Sequence, residues 1–139
     1  MRVESLEFRE VGKLKVERLK VKRMEIEIRR YKNRPWGIDG ELLIGGKKVC
    51  GTVEHPEYAK PAGNYPILPA AGVSARMNSH PFAHGDGAMS ATRGEIIVGE
   101  RALSGVVIHS AKVYATLSAR LKKARQRGRE VRLRIEERY

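Results

Sequence analysis

Residues 84–99 read HGDGAMSATRGEIIVG. A histidine opens this stretch, a glycine-rich loop follows, and a Gly-Glu step leads into the apolar run Ile96 to Val98. That is the outline of a site loop feeding a buried strand. The residues on either side decide which kind of sheet the strand joins.

Downstream, Val106 to Ile108 is a second short apolar run, and Ser110 stands as an N-cap for a helix over about 111–127. Val113, Leu117, Leu121 and Ala124 recur at helical spacing and give that helix its buried stripe. Gly128 is placed to end it. Val131, Leu133 and Ile135 then alternate with arginine and glutamate in a final strand.

Upstream, residues 69–93 carry little periodicity and read as a long loop. Asn64 to Leu68 is a short strand, and residues 55–63, HPEYAKPAG, are a loop. Residues 38–54, IDGELLIGGKKVCGTVE, form a hairpin around Gly45-Gly46, with Cys50 inside its second strand as a buried, inert thiol. Tyr31 to Trp36 is a connection. Met24, Ile26 and Ile28 alternate against charged neighbours, which predicts a half-buried strand with a solvated, ion-paired outer face. Residues 2–8 and 13–22 read as further strands, with a slip in phase at Glu17-Arg18. The whole predicts an α+β, strand-rich fold with one C-terminal helix and a final strand.

A length of 139 residues predicts one domain, and 41% hydrophobic with 32% charged residues excludes a disordered chain. No apolar run reaches the roughly 18–20 residues a membrane span needs. The charged start MRVESLEFRE has no secretory h-region, so synthesis in the cytoplasm is expected. The single cysteine allows no internal disulfide. A net charge of +12 favours a polyanionic partner such as nucleic acid, an envelope polymer or an acidic protein face; a well-solvated basic surface is the competing reading. The eight aromatic residues are few for a single-strand stacking platform.

The motifs carry a resemblance. Gly40 to Val49, Thr52 to Glu54, Pro61 to Tyr65, His84, then Gly94-Glu95-Ile96 and Val98-Gly99 follow one another as in a small bacterial and phage domain family of uncharacterised function. That family's histidine and Gly-Cys step in turn resemble the active site of L,D-transpeptidases, which act on peptidoglycan stem peptides. The resemblance covers roughly residues 24–136. It implies an L,D-transpeptidase-like domain of mixed sheets or barrel over 24–139, with residues 1–23 as an N-terminal strand extension, possible as an assembly element. It also implies settings such as a phage particle or a secretion or envelope assembly, with other subunits, a second copy of the chain or peptidoglycan as partners.

Glu95 stands where the resemblance places the nucleophilic cysteine, and Ile97 where transpeptidases carry arginine. Thiolates attack peptide carbonyls well, whereas carboxylates do so poorly. The expectation is therefore a catalytically inactive domain in a binding or structural role, with His84 and Glu95 as a degenerate catalytic pair lying close together. Asp86, Ser90 and Gly94 are the candidate substrate-binding positions, although Asp86 and Ser90 also suit ordinary turns. One alternative is a peptidoglycan-directed hydrolase using His84 and Glu95 with water or a metal; another is a charge-driven nucleic-acid binder. His80 and His84 would share a face for zinc only in a helix, and no cofactor or metal is expected. His109 reads as structural, and His55 has no assigned role. Arg120, Lys122, Lys123, Arg125, Arg127 and Arg129 form a candidate anion-binding surface at the helix exit, part of which the helix dipole explains.

Overall fold

The computed structural model describes residues 23–68 and 80–139. The expected N-terminal strands and most of the first half of the 69–93 loop lie outside the described residues. The elements are β1 (Arg23–Arg34), β2 (Gly37–Ile44), β3 (Lys47–Glu54), β4 (Gly63–Leu68), β5 (Phe82–Ala83), β6 (Ile96–Leu103), β7 (Val106–Ile108), α1 (Ser110–Gln126) and β8 (Glu130–Glu137). One curled half-barrel sheet runs in the order β4-β8-β1-β2-β3-β6-β5, and β7 pairs with β6. The fold is α+β and strand-rich, with a single α-helix among the described residues.

Strand β1 is an interior strand of this sheet, and its two faces differ completely. Met24, Ile26 and Ile28 point into the core, while Glu25, Glu27 and Arg29 point away from it. β1 pairs antiparallel with β2 and parallel with β8. The expected connection from Tyr31 is instead a continuation of β1 to Arg34. The register shifts between Arg30 and Lys32, and the ladder then resumes from Lys32↔Asp39 to Arg34↔Gly37. A bulge absorbs the extra residue, and only Pro35-Trp36 is left as the turn, where proline's missing N–H costs nothing. The Gly45-Gly46 turn is as expected, with φ of 60° and 82°. Two consecutive positive φ values suit the twist of a two-residue hairpin and favour glycine at both places.

Helix α1 lies on one face of the sheet. Leu117, Leu121 and Ala124 are buried there with Met24, Ile26, Ile28, Leu42, Val98, Val131, Leu133 and Ile135. Its C-terminus is a Schellman closure: the Arg129 N–H donates to the Ala124 carbonyl at 2.9 Å and the Gly128 N–H to the Arg125 carbonyl at 3.1 Å, with Gly128 at φ 66°. The N-terminus differs from expectation. Ser110 is the first helical residue rather than the cap, and His109, in the left-handed region, precedes it. The Ser110 hydroxyl is committed elsewhere, donating to the Val98 carbonyl at 2.5 Å and accepting the Gly85 N–H at 3.0 Å. A tertiary partner has taken the oxygen that a local cap would have used.

A second, smaller core lies on the opposite face of β3, β6 and β5, where Val53, Ala88, Ala91, Ile97 and Val107 pack together. The 69–93 region is thus not all irregular: it contains β5 and a 3₁₀ turn at Ala88–Ser90. The outer face of β1 and β8 is solvated and ion-paired, as its alternation implied. Arg134 reaches Glu27 across the strands, Arg23 reaches Glu130 at 3.2 Å, and Arg132 holds Glu130 at 2.8 Å. The Arg134 guanidinium holds the Glu27 carboxyl below its ordinary range, and Arg132 does the same for Glu130.

Candidate functional site

His84 follows β5 directly. β5 runs parallel to β6 with Phe82 beside Ile96 and Ala83 beside Ile97, and the Ile96 N–H donates to the Pro81 carbonyl at 2.8 Å. Continued one step, this register sets His84 level with Val98. Glu95 lies three residue steps back, about 10 Å along the strands. The expected pair does not form: no ion pair joins the two among the described residues. The Glu95 carboxylate instead accepts the Arg93 N–H at 2.7 Å, closing a local turn.

The exposed His84 ring packs against Tyr114 of α1 at 5.4 Å between centroids, and His80 approaches the same tyrosine at 6.2 Å. The two histidines share a face because the intervening backbone is extended, so residues 80, 82 and 84 alternate to one side. Burial lowers the His80 pKa, and its Nδ1 lacks a partner. No group of three or more histidine, cysteine or carboxylate ligands gathers around a possible metal among the described residues.

The loop residues divide. Asp86 lines a shallow cleft of about 320 Å³ together with His84, His109 and Ser110. Ser90 donates to the Gly87 carbonyl at 2.7 Å and fastens the 3₁₀ turn. Gly94 has φ 78° and is pressed against the chain: a Cβ there would stand 2.8 Å from the Tyr58 carbonyl oxygen. His84 and Asp86 therefore share a cleft, while Ser90, Gly94 and Glu95 hold the loop that frames it. His109 joins the cleft at φ 54°, with its Nδ1 3.2 Å from Glu100. His55 acquires a role as well. It is buried, its Nδ1 accepts the Glu57 N–H at 3.1 Å, and its carbonyl accepts the Tyr58 and Ala59 N–H groups. It organises the turn after β3.

Cys50 lies in β3 within the main core. β6 stands between β3 and β5, so Cys50 and His84 are separated by two strand spacings, about 10 Å. Burial pushes the thiol pKa up to about 11, against smaller opposing pulls from the Gly99 backbone and Lys48. A rise of two units from 9.0 cuts the thiolate fraction near neutrality about a hundredfold. Native protein is therefore expected to react with a thiol-specific disulfide reagent at pH 8 at least about a hundredfold more slowly than the unfolded chain. A single-phase reaction as fast as that of free cysteine would contradict the burial.

No family model, curated protein or solved structure matches the chain. The site must be read from its own chemistry.

Two polar clusters escaped the sequence reading. Arg30 occupies the inward phase of β1 and is 1% exposed; Glu54, at the end of β3, is 0% exposed. They meet by two parallel bonds, Nε to Oε2 at 2.9 Å and a terminal nitrogen to Oε1 at 2.7 Å. Arg30 also donates to the Lys60 carbonyl at 2.6 Å and to Glu137 at 3.3 Å. In the register Gly40 lies between Arg30 and Thr52, so no side chain of β2 obstructs the crossing. The second cluster centres on Asp39. It takes the Arg101 guanidinium at 2.8 Å, the Ser104 hydroxyl at 2.7 Å and the Gly105 N–H at 2.8 Å. Asp39 and Arg101 border a cleft of about 290 Å³ together with Tyr31, Glu41 and Lys48. Both clusters are tied up internally and hold strands together.

The basic residues at the helix exit stand apart from all of this. Arg120, Lys122, Lys123, Arg125 and Arg127 are exposed, and Arg129 is half-buried.

Proposed function

We propose that this is a catalytically inactive domain of L,D-transpeptidase-like type that serves by binding or as a structural part of an assembly, such as a phage particle or a secretion or envelope complex. One observation carries the proposal. The only cysteine is buried in the main core with its pKa raised to about 11, and Glu95, at the position the resemblance gives to the nucleophile, is tied to the Arg93 N–H. Acyl transfer from a stem peptide needs a thiolate beside a base. Cys50 lies away from His84, and among the described residues no carboxylate forms an ion pair with His84.

The expected result with tetrapeptide-bearing muropeptides is no turnover, with or without added zinc, as followed by chromatography and mass spectrometry. Turnover by the unmodified chain that His84→Ala abolishes would sink the proposal and favour a hydrolase built on His84. Glu95→Cys with a carbapenem is a useful companion. The register that separates residues 84 and 95 leads us to expect no acyl adduct even then.

A further inference from the structure

We infer that the outer face of α1 is a docking surface for the phosphate backbone of double-stranded nucleic acid. Residues 110–129 hold seven lysines and arginines and no aspartate or glutamate. The other dense group of basic side chains in the fold is compensated. On the β1–β8 face, Arg23, Arg29, Arg132, Arg134 and Arg138 each pair with a glutamate. Among the described residues none of these seven cations, five on α1 and two just past its end, takes part in an ion pair. The nearest acid in sequence, Glu130, is already held by Arg23 and Arg132.

Helix energetics do not account for the pattern. The macrodipole favours cations in the last turn, which covers Lys123 and Arg125. It opposes Lys112, which sits in the first turn, where no acidic residue stands. Adjacent like charges from Lys122 to Arg129 also repel one another. What unites them is geometry. Lys112, Arg120, Lys123 and Arg127 fall within one quadrant of the helical wheel and span about 22 Å of axis. Ala115, Thr116 and Ala119 lie alongside, exposed, and with Arg120 and Lys123 they form a shallow depression in which short side chains leave the backbone open to approach.

The chemistry of this face selects among polyanions. A lipid surface holds a helix most firmly when large apolar side chains insert, but Val113, Leu117, Leu121 and Ala124 face the protein core. A single strand would require exposed aromatic rings for its bases. The outer face offers neither. A duplex presents about one negative charge per 1.7 Å of axis and needs only a line of unpaired cations.

The test uses the intact chain and a fluorescein-labelled duplex of about 20 base pairs and mixed sequence, followed by fluorescence anisotropy between about 50 and 200 mM KCl. Four phosphate contacts predict a slope of log affinity against log salt of about −3 to −4, a loss of about a hundredfold over that range. Arg120→Gln, Lys123→Gln and Arg127→Gln together should flatten the slope to about −1. The same three-charge removal on the sheet face, Arg132→Gln, Arg134→Gln and Arg138→Gln, should leave the slope near that of the unmodified chain. The proposal is overturned by a slope near zero in the unmodified chain, which needs no variant to measure. Equal losses from the two triples, or tighter binding to vesicles of anionic phospholipid than to the duplex, overturn it as well.

Discussion

Arg30→Ala is expected to lower the stability of the chain by about 3–5 kcal/mol, a large share of the roughly 5–15 kcal/mol that holds a typical domain folded. The substitution removes both parallel bonds to Glu54 and leaves that carboxylate buried without its cation. Burial alone pushes the Glu54 pKa up, so the orphaned group must either take a proton or draw in water. Loss of the bond to the Lys60 carbonyl would also release the turn that follows β3. The informative companion is Arg30→Met with Glu54→Leu. Replacing both charges by packed apolar groups is often neutral, so the pair should recover most of what the single change loses. Urea denaturation followed by circular dichroism checks both. A cost below about 1 kcal/mol for Arg30→Ala would mean that the clamp is not stabilising in the way its geometry implies.

Asp39→Ala should cost about 2–3 kcal/mol. Three donors converge on this carboxylate, and one of them, the Gly105 N–H, belongs to a buried residue. Because Asp39 ties β2 to the hairpin joining β6 and β7, the loss should be local as well as global. Amide exchange at Gly105 and Val107 should speed up more than exchange at Leu133 in β8. Asp39→Asn keeps an oxygen for the Gly105 N–H and loses the one that accepts from Ser104, so it should cost less than Asp39→Ala. Equal costs for the two substitutions would show that only the charge on Arg101 matters.

These two clusters mark where sequence reading stops. Ile26, Ile28, Leu117, Leu121, Leu133 and Ile135 were legible because burial imposes a period of two on strands and 3.6 on helices. Gly45-Gly46 was legible because its turn type requires positive φ twice. The same alternation carries through Arg30 and Glu54, each in the inward phase of its strand. Two opposite charges in apolar phase were the available signal. That they meet depends on β2 lying between β1 and β3 with Gly40 in the crossing row, and no local pattern records that.

The spacing of His84 from Glu95 was hidden from the sequence for a related reason. His84 and Glu95 are eleven residues apart in sequence, and a loop of that length permits contact. The parallel register of β5 with β6, fixed by the Ile96–Pro81 bond, sets them at different levels. Ser110 shows the same competition on a smaller scale. Its sequence context favours a helix cap, and the Val98 carbonyl, brought near only by the fold, takes the hydroxyl instead.

The place of β8 in the sheet has a consequence for how the chain is made. β1 and β4 both flank β8, which is the last strand. Arg23 and Glu130 are ladder partners across 107 positions of sequence. Among the described strands, β1 has only β2 and β8 as neighbours, so until residues 130–137 are made its side toward β8 lacks that partner. Such an edge invites pairing with a neighbouring nascent chain. The charges along the outer face of β1, Glu25, Glu27 and Arg29, work against that error until β8 arrives, because a second copy would set like charges opposite one another in a register-matched pairing. β8 joins β1 and β4 through pairings far apart in sequence, the kind of contact whose loop-closure entropy makes it slow to form.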